Sequence, residues 1–426
     1  MTTSKPNTSI FATLLTWAGQ RLGLNLRYFA VSGFWVTIRY ILLGLISLAT
    51  SVAFARLATQ ELYGQYQFVF SIISLLSLLS LPGLNTISLR GVSKGLLGTV
   101  VTTTKLSFRA SWLVALATCL VGLFYLVQKN ELATGWSLIG VSLFLPFLYG
   151  TNAWYTYYEG QTDFRSPTIR IPSMMAAGAL WLVIGIWQHW SLPTLIIGYF
   201  GMSAVLTSFC YLEVLRRLRQ AQTSQVSDTV SLQLGVAYTL QKFSSNIQET
   251  VQSLLVASLY DYAALGVISI GYILINSATG LVGALSSTYF PLLMRYKRLP
   301  HGKIIIQNLL IGIGLAAGYY TFVRLAFVPI YGGHLPDSFQ LALSLAGALT
   351  FLPLRLYFAS YLTAQHAPST LTTANTVSYL LAAGIFLCLR AWAPTTAFTV
   401  YFYALQGSAV LILGFLYWQR TRHAAD

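Results

Sequence analysis

The feature that most limits the fold of this chain is a series of apolar runs, each about as long as a lipid bilayer is thick. Of the 426 residues, 56% are hydrophobic and only 8% are charged, whereas soluble domains carry about 25% charged residues. A bilayer core takes roughly 20 apolar residues per helical span, and these runs are too long for the strands of a membrane barrel. Because a helix satisfies its own backbone hydrogen bonds in lipid, the sequence predicts an all-α integral membrane protein.

Short polar breaks divide the chain into about twelve predicted transmembrane helices. The predicted spans cover 35–56, 65–87, 107–127, 135–156, 169–189, 193–214, 233–258, 263–291, 303–329, 338–362, 371–391 and 395–418. They predict an N-terminal six-helix lobe (35–214), a cytoplasmic linker (215–232), a C-terminal six-helix lobe (233–418) and a cytoplasmic tail (419–426). Residues 1–34 are predicted to be a cytoplasmic amphipathic segment. Within it, 9–30 is expected either as an interfacial helix or as an ordinary first helix lying on the bundle.

The net charge of +15 reflects where the basic residues lie. Lys and Arg concentrate in the loops on one side of the predicted spans, which is typical of cytoplasmic loops and places both termini inside. This distribution explains the charge without a nucleic-acid partner. The sequence contains no phosphate-binding loop, no nucleophile elbow and no HExxH motif, and its five His residues are scattered. It therefore predicts a protein that is not an enzyme and that has no cofactor and no metal site.

Two turns suggest an internal repeat. The stretch 54-FARLATQELYGQY-66 and the stretch 256-VASLYDYAALGVI-268 each form the first predicted outer turn of their half. Three pairs are identical without a gap: Ala55 with Ala257, Leu57 with Leu259, and Gly64 with Gly266. Because six spans are an even number, this predicts two halves related by a parallel pseudo-repeat, with a substrate site between them. Gly64 and Gly266 are predicted hinge turns, at which the chain turns and the next helix packs closely. The alternative is that all helical membrane hairpins look alike.

The seventh predicted span carries a polar stripe. Lys242, Asn246, Glu249 and Ser253 follow the i, i+4, i+7, i+11 spacing of one helical face. An ionisable side chain at the membrane centre costs about 2.5–3.5 kcal/mol on insertion scales, so this face should turn toward the protein interior. Two interpretations are open, a transport lumen or a structural Lys–Glu pair. In the first, protonation or sodium binding at Glu249 couples transport to an ion.

Four arginines lie in or next to other spans. Arg39 is just inside the first span, Arg56 at its outer end, Arg324 toward the outer end of the ninth, and Arg355 in the tenth, after Pro353. None has a carboxylate nearby in sequence. Together with Lys242 they predict an anion site, since Arg and Lys are the usual partners of phosphate. For Arg39, Arg56 and Arg324 the alternative is that the side chains extend to the membrane interface.

The chain resembles the polysaccharide-export, or O-antigen flippase, family of the multidrug/oligosaccharidyl-lipid/polysaccharide flippase superfamily. The resemblance is most specific within residues 37–94, where the family pattern is present as Ala55-Arg56-Leu57, Glu61, Tyr63-Gly64-Gln65-Tyr66, Gly83-Leu84 and Arg90. A second stretch is similar to the end of the family's fourth helix and comprises Trp154, Glu159-Gly160-Gln161 and Arg165. Pro82 departs from the family, in which Asp is common before the Gly-Leu pair.

The resemblance implies alternating access for a polyprenyl-diphosphate-linked oligosaccharide in the bacterial inner membrane. The prenyl tail would stay in lipid at a gap between helices. Arg39, Lys242 and Arg355 would meet the diphosphate on the inner side, and Arg56 and Arg324 on the outer side. Expected partners are this lipid-linked substrate, membrane lipids, and the polymerase and glycosyltransferases of the same pathway. The alternatives are a drug/cation antiporter, which would need acidic lumen residues, a polymerase or glycosyltransferase, which would need large outer loops, and a structural membrane subunit.

Overall fold

In the computed structural model of the protein, residues 26–220, 232–286, 301–364 and 368–423 are described. Within these ranges, only the backbone is described for 26–32, 220, 232, 241–249, 281, 283–286, 301, 363–364, 368–370 and 420–423. The helices of the first half are α1 (Leu26–Leu57), α2 (Gln60–Leu76), α3 (Leu84–Ser93), α4 (Gly98–Val127), α5 (Leu132–Ser142), α6 (Leu145–Gly150), α7 (Trp154–Gly160), α8 (Arg165–Trp187) and α9 (Leu192–Gln220). Those of the second half are α10 (Leu232–Leu259), α11 (Tyr262–Ser286), α12 (His301–Tyr331), α13 (Pro336–Ser344), α14 (Leu352–Ala364), α15 (Pro368–Cys388) and α16 (Pro394–His423).

The described residues form an all-helical membrane protein, as the sequence predicts. Ten helical segments are long and apolar enough to cross a membrane, or eleven when the bent pair Leu132–Ser142 and Leu145–Gly160 is taken as one span. The remaining predicted span, 233–258, coincides with α10. Each predicted span is thus largely helical over its described residues, and the predicted fold class is confirmed.

Two spans predicted as continuous helices are broken. The second span changes from α2 to a 3₁₀ turn at Ser77–Ser80, and Leu81 then adopts a left-handed conformation with φ 59° before Pro82. The ring of a proline disfavours the helical conformation of the residue before it, and this accounts for the break at Leu81. The fourth span bends by 47° between α5 and α6. Pro146 lies in the first turn of α6, where its missing N–H does no harm.

The tenth span contains the corresponding irregularity in the second half. A 3₁₀ segment, Leu345–Phe351, separates α13 from α14. It ends directly before Leu352 and Pro353, and a proline disfavours regular helix in the residues that precede it. The fourth span of each half is therefore interrupted, which agrees with a repeated architecture.

Two described helices extend beyond the predicted spans. The described part of α1 starts at Leu26. Of the interfacial helix expected at 9–30, only residues 26–30 are described, and they belong to α1. α9 continues to Gln220, inside the predicted linker, and residues 221–231 lie outside the described part of the chain. The extension of α9 is supported by an i, i+4 pair, in which an Arg217 nitrogen lies 2.8 Å from Glu213 Oε1.

The two repeated turns have equivalent capping chemistry. Thr59 caps α2, because its hydroxyl accepts a hydrogen bond of 3.2 Å from the backbone N–H of Leu62. Asp261 plays the same part for α11, because its carboxylate accepts one of 2.6 Å from the N–H of Ala264. Thr59 and Asp261 occupy aligned positions in the two stretches. The repeat therefore extends to side-chain caps that differ in identity but not in function.

The halves pack most closely where α2 crosses α11. A Cβ atom on Gly64 would overlap the carbonyl group of Tyr262, and one on Gly266 would overlap the carbonyl group of Gln60. The contact is reciprocal, as expected for two halves related by a pseudo-twofold axis. Both glycines lie one turn inside their helices, so the prediction that they form the turns themselves is wrong. Their contribution is the close approach of two helix backbones.

Candidate functional site

A polar pocket of about 170 Å³ lies between the halves. Its walls come from α1 and α2 of the first half and from α10 and α11 of the second. The polar side chains that line it are neutral: Ser47, Tyr63, Gln67, Gln252, Ser253, Ser269, Tyr272 and Asn276. None of the described lining residues carries a charge. The pocket can therefore offer hydrogen bonds and aromatic faces to a ligand, but no ion pair.

Packing holds several of these side chains in place. Tyr63 is only 2% exposed, and its ring packs against Phe54 at a centroid distance of 4.8 Å. One turn further along α2, the Gln67 amide donates a hydrogen bond of 2.8 Å to the Tyr63 hydroxyl. Gln252 on α10 is 5% exposed, and its carbonyl oxygen Oε1 has no hydrogen-bond partner among the described residues. A buried acceptor of this kind normally has a donor, so Gln252 marks the pocket as a place where a ligand can bind.

A larger, apolar crevice adjoins the polar pocket. It has a volume of about 990 Å³ and lies between α1 of the first half and α11 and α12 of the second. The two cavities share the lining residues Ser47, Ile273 and Asn276. Large apolar side chains on its walls are exposed, among them Leu45 and Phe322. In a bilayer such exposed apolar walls would contact lipid tails, so the crevice opens sideways rather than into water.

Glycines give the apolar crevice its width. Gly44 on α1, Gly280 on α11, and Gly314 and Gly318 on α12 all line it. A Cβ atom added at any of these four positions would meet nothing within 4 Å. These glycines therefore leave free volume, in contrast to Gly64 and Gly266.

The crevice is closed at the predicted outer end of the bundle, the end that contains the turns at 58–59 and 332–335. There the hydroxyls of Ser51 and Tyr331 are 2.8 Å apart, and a ring nitrogen of His334 lies 2.9 Å from the carbonyl oxygen of Ala55. These contacts join α1 to the end of α12 and to the turn that follows it. Further from this end the two helices are separated by the crevice, which is lined by residues within 40–48 and 311–322.

The predicted cation Arg56 belongs to this closure. Its exposed guanidinium donates hydrogen bonds of 2.5 and 2.8 Å to the carbonyl oxygens of Pro329 and Ile330, at the C-terminal end of α12. A cation at a helix C-terminus is favourably placed relative to the helix dipole. In the described arrangement Arg56 therefore links the two halves.

Arg39 is not an unpaired cation, contrary to the expectation from sequence. Its guanidinium lies 2.6 Å from Glu159 Oε1, and the two side chains are 16% and 13% exposed. The partner comes from α7, 120 residues further along the chain. Because the pair is neutral overall, Arg39 contributes little net positive potential to the interior.

Arg355 and Arg324 occupy different environments. Arg355 is half-buried within the second half and donates to Gln406 Oε1 at 3.0 Å and to the Tyr379 hydroxyl at 3.4 Å. No carboxylate forms an ion pair with Arg355 in the part of the chain that the structure describes. Arg324 is exposed on α12, with a long contact of 3.5 Å to the Tyr320 hydroxyl, as expected for a side chain that reaches the interface. The structure does not bring the predicted arginines together, and none of them lines either cavity.

The polar stripe of the seventh span lies on α10, which runs along the polar pocket. The side chains of Lys242, Asn246 and Glu249 lie outside the described residues, so their roles stay predictions. Ser253, the fourth member of the stripe, lines the polar pocket.

Two features were not recognised from sequence. Trp154 and Tyr158 are 1% and 2% exposed and pack in the core of the first half. The neutral amides Gln67 and Gln252 line the polar pocket, although neither a charge nor a motif distinguishes them in the sequence. A polar amide in an apolar span is the signal that could have identified them.

No protein-family model and no curated protein sequence matches the chain. Several solved structures do. One, described as protein A, superposes with a TM-score of 0.65 at 12% identity over 92% of this chain and 96% of its own. The MATE multidrug transporter DinF-BH superposes with a TM-score of 0.60 at 9% identity, over 92% of this chain and 95% of its own. A mutant of the Vibrio cholerae MATE transporter VcmN superposes with a TM-score of 0.54 at 13% identity, over 93% of this chain and 97% of its own. At these identities the likeness establishes the fold alone, and the fold of this chain is that of MATE transporters.

Proposed function

We propose that the protein is a flippase that moves a polyprenyl-diphosphate-linked oligosaccharide across the membrane by alternating access between its two halves. The observation that carries the proposal is the pair of adjoining cavities, an apolar crevice open to lipid and a neutral polar pocket between the halves. Such a pair suits an amphiphile whose tail stays in the bilayer while its head passes through the protein.

Energetics favour a side entrance for a ligand of this kind. A saccharide head that crossed the bilayer unaided would lose many hydrogen bonds to water, and each unsatisfied polar group costs several kcal/mol in hydrocarbon. A long prenyl tail, in turn, loses about 0.8 kcal/mol per methylene when it leaves an apolar environment. A crevice that leads from lipid into a polar pocket avoids both penalties. The outer-end closure by Ser51, Tyr331 and His334 fits a state that accepts the ligand from the inner leaflet.

A drug/cation antiporter is the second candidate, because solved structures with this fold are named as multidrug transporters. Organic cations are usually held by carboxylates, and neither cavity has an Asp or Glu among its described lining residues. This composition favours a neutral or lipid-linked ligand.

Within the proposal, Lys242 and Arg355 are the cations assigned to the diphosphate, because Arg39 is already neutralised by Glu159. Glu249 is assigned to ion coupling. The Glu249→Gln variant should lose the dependence of transport on a proton or sodium gradient. Unchanged transport with unchanged ion dependence would remove this assignment.

The proposal is tested in proteoliposomes that contain a fluorescent polyprenyl-diphosphate oligosaccharide. A membrane-impermeant quencher or lectin measures how fast the head group appears outside. The Gly318→Leu variant adds side-chain volume to the apolar crevice at a position where a Cβ atom meets nothing within 4 Å. It should slow transfer about tenfold or more while the melting temperature is retained. Gly384→Leu is the matched control, because Gly384 on α15 also has nothing within 4 Å but lies outside the crevice.

Two results would overturn the proposal. If the wild-type protein does not move the lipid-linked saccharide but exchanges an organic cation for protons or sodium, the antiporter is correct. If Gly318→Leu transports the lipid at the wild-type rate, the crevice is not the path of the tail.

A further inference from the structure

We infer that the polar pocket is a saccharide-binding subsite in which Gln252 and Gln67 recognise the first sugar of the lipid-linked ligand. This inference rests on the proposed function and adds to it the part of the ligand that the pocket selects. The prediction from sequence placed recognition in the cations, whereas the geometry places it in neutral amides.

The chemistry of the walls defines the class of ligand. Both halves contribute hydroxyls and amides, and two tyrosines, Tyr63 and Tyr272, add aromatic rings. A diphosphate or an organic cation held here would be desolvated without a counter-charge from the described lining, which is costly. A sugar unit is uncharged, carries several hydroxyls that donate and accept hydrogen bonds, and has apolar ring faces that suit aromatic side chains. It matches the walls in each respect.

Gln252 is the residue that most requires a ligand. Its side chain is 5% exposed and its Oε1 atom has no hydrogen-bond partner within the described ranges. A buried acceptor without a donor costs about 1–3 kcal/mol, so a hydroxyl that donates to Oε1 would recover this free energy on binding. The Tyr63 hydroxyl accepts from Gln67 at 2.8 Å and can direct its own proton to a ligand. The pocket thus offers an acceptor on α10 and a donor on α2, one from each half.

The volume determines how much of the glycan the pocket holds. A space of about 170 Å³ corresponds to about five or six waters at liquid density, which suits one sugar ring and not an oligosaccharide. Because the pocket adjoins the crevice at Ser47, Ile273 and Asn276, the ring that it holds is the one nearest the lipid. The remaining sugars would extend beyond the pocket and contribute less to selection.

The test compares two probes, a short polyprenyl diphosphate that carries one sugar and the same diphosphate without it. Their dissociation constants are measured for the detergent-purified full chain by native mass spectrometry or calorimetry. The wild-type protein should bind the glycosylated lipid about tenfold more tightly, the effect of one satisfied buried acceptor. Gln252→Met should lose that preference and keep its affinity for the bare diphosphate.

Two further variants separate recognition from folding. Gln252→Met removes an unsatisfied oxygen, so without ligand its melting temperature should equal or exceed that of the wild-type protein, whereas a structural role would lower it. Thr118→Val is the matched control, because Thr118 on α4 is also buried with an unpartnered oxygen but lies outside the pocket; its sugar preference should be unchanged. If Gln252→Met does not fold, Gln67→Met tests the sugar preference instead, because the Gln67 amide orients the Tyr63 hydroxyl that is the donor in the pocket.

The outcomes distinguish this inference from the proposed function. If the wild-type protein binds both lipids equally, or if Gln252→Met and Gln67→Met both keep the preference, the subsite is wrong and the flippase stands. If sodium ions raise the melting temperature of the wild-type protein but not of Gln252→Met, and the sugar has no effect, the pocket is a cation site instead. Binding of neither lipid by the wild-type protein would overturn the proposed function itself.

Discussion

At the crossing of α2 and α11, Gly64 and Gly266 are packed so closely against the opposite helix that neither position has room for a Cβ atom. Between α1 and α12, Gly44, Gly314 and Gly318 have nothing within 4 Å of the same atom. We call the first contact the closed seam and the second the open seam. The same residue type brings two backbones together at one seam and keeps space free at the other.

The difference between the seams shows where the two halves can move relative to each other. At the closed seam the contact is between backbones, and any sliding would drive Cα atoms into carbonyl oxygens. At the open seam the helices touch mainly near the predicted outer end, through a few hydrogen bonds. A rocking motion of the proposed transporter would therefore pivot at the closed seam and open and close the other one.

The largest expected effect comes from adding the same side chain at each seam. Gly266→Leu places a side chain where even a Cβ atom overlaps the Gln60 carbonyl, so we expect loss of monodisperse protein. Gly266→Ala should cost about 1–3 kcal/mol or more, the range for overpacking. Gly314→Leu, at the open seam, should keep a melting temperature close to that of the wild-type protein. Fluorescence-detected size-exclusion chromatography after heating measures all three.

The reciprocal variant sharpens this prediction. Gly64→Ala should destabilise the protein by the same amount as Gly266→Ala. Each glycine faces the carbonyl of the residue that lies four positions before the other glycine, Tyr262 for Gly64 and Gln60 for Gly266. Similar melting temperatures for Gly266→Leu and Gly314→Leu would contradict the distinction between the seams.

A smaller effect is expected within the first half, at the pair formed by Arg39 on α1 and Glu159 on α7. Arg39→Gln leaves a largely buried carboxylate without its partner, which costs about 3–5 kcal/mol when burial is complete. Since both side chains retain some exposure, we expect about 2–3 kcal/mol from the same principle. The double variant Arg39→Gln/Glu159→Gln should recover much of this stability. Denaturant or thermal unfolding in detergent gives the values.

Arg217→Gln serves as the control for the Arg39 pair. Arg217 also contacts a glutamate, Glu213, but is 51% exposed, and such surface pairs contribute about 0.3–0.5 kcal/mol. The double variant also separates structure from function. If stability returns but transport does not, Arg39 contacts the ligand, as the sequence predicts.

The smallest effect is expected for the hydrogen bond that joins α1 and α12, the two helices of the open seam, at the predicted outer end. Tyr331→Phe removes its hydrogen bond to Ser51, and Ser51 remains satisfied because it also donates to the Leu48 carbonyl at 2.9 Å. The conformation in which the outer ends of α1 and α12 are in contact should lose about 1 kcal/mol of stability. This loss increases the population in which those ends are apart about fivefold. Spin labels at positions 57 and 333, in a background without the three native cysteines, measure the distance distribution.

Tyr403→Phe is the matched control for that measurement. Its hydroxyl donates at 2.9 Å to the carbonyl of Ser344, within the second half, so its loss should leave the distance distribution unchanged. If Tyr331→Phe and Tyr403→Phe give the same spin-label distance distribution, the Ser51–Tyr331 hydrogen bond does not keep the outer ends of α1 and α12 together.

Much of the fold could be predicted because lipid imposes strict rules on a chain. Apolar runs of sufficient length can only be helices, so the spans followed from composition and the breaks between runs. The aligned stretches identified equivalent positions as well, among them Thr59 with Asp261 and Gly64 with Gly266. Where the prediction was wrong, at Leu81 and Pro146, hydropathy alone had extended a helix across a local break.

The candidate site was predicted less well because its properties depend on the arrangement of helices. Charge singled out the arginines, yet Arg39 has its partner 120 residues away and Arg324 is exposed on α12. The described residues that line the polar pocket are neutral. Nothing in their local sequence separates Gln252 from Gln406, which accepts a hydrogen bond from Arg355 within its own half.

The sequence by itself determined that this protein is a bundle of membrane-spanning helices with two related halves, because span length, polar breaks and repeated turns are properties of short stretches. Only the tertiary structure decided which glycines bring helices together and which leave a crevice open, and which cations are already paired. The physical reason is that packing and ion pairing are contacts between residues distant in sequence. They depend on how α1 and α12 diverge and on how closely α2 and α11 cross.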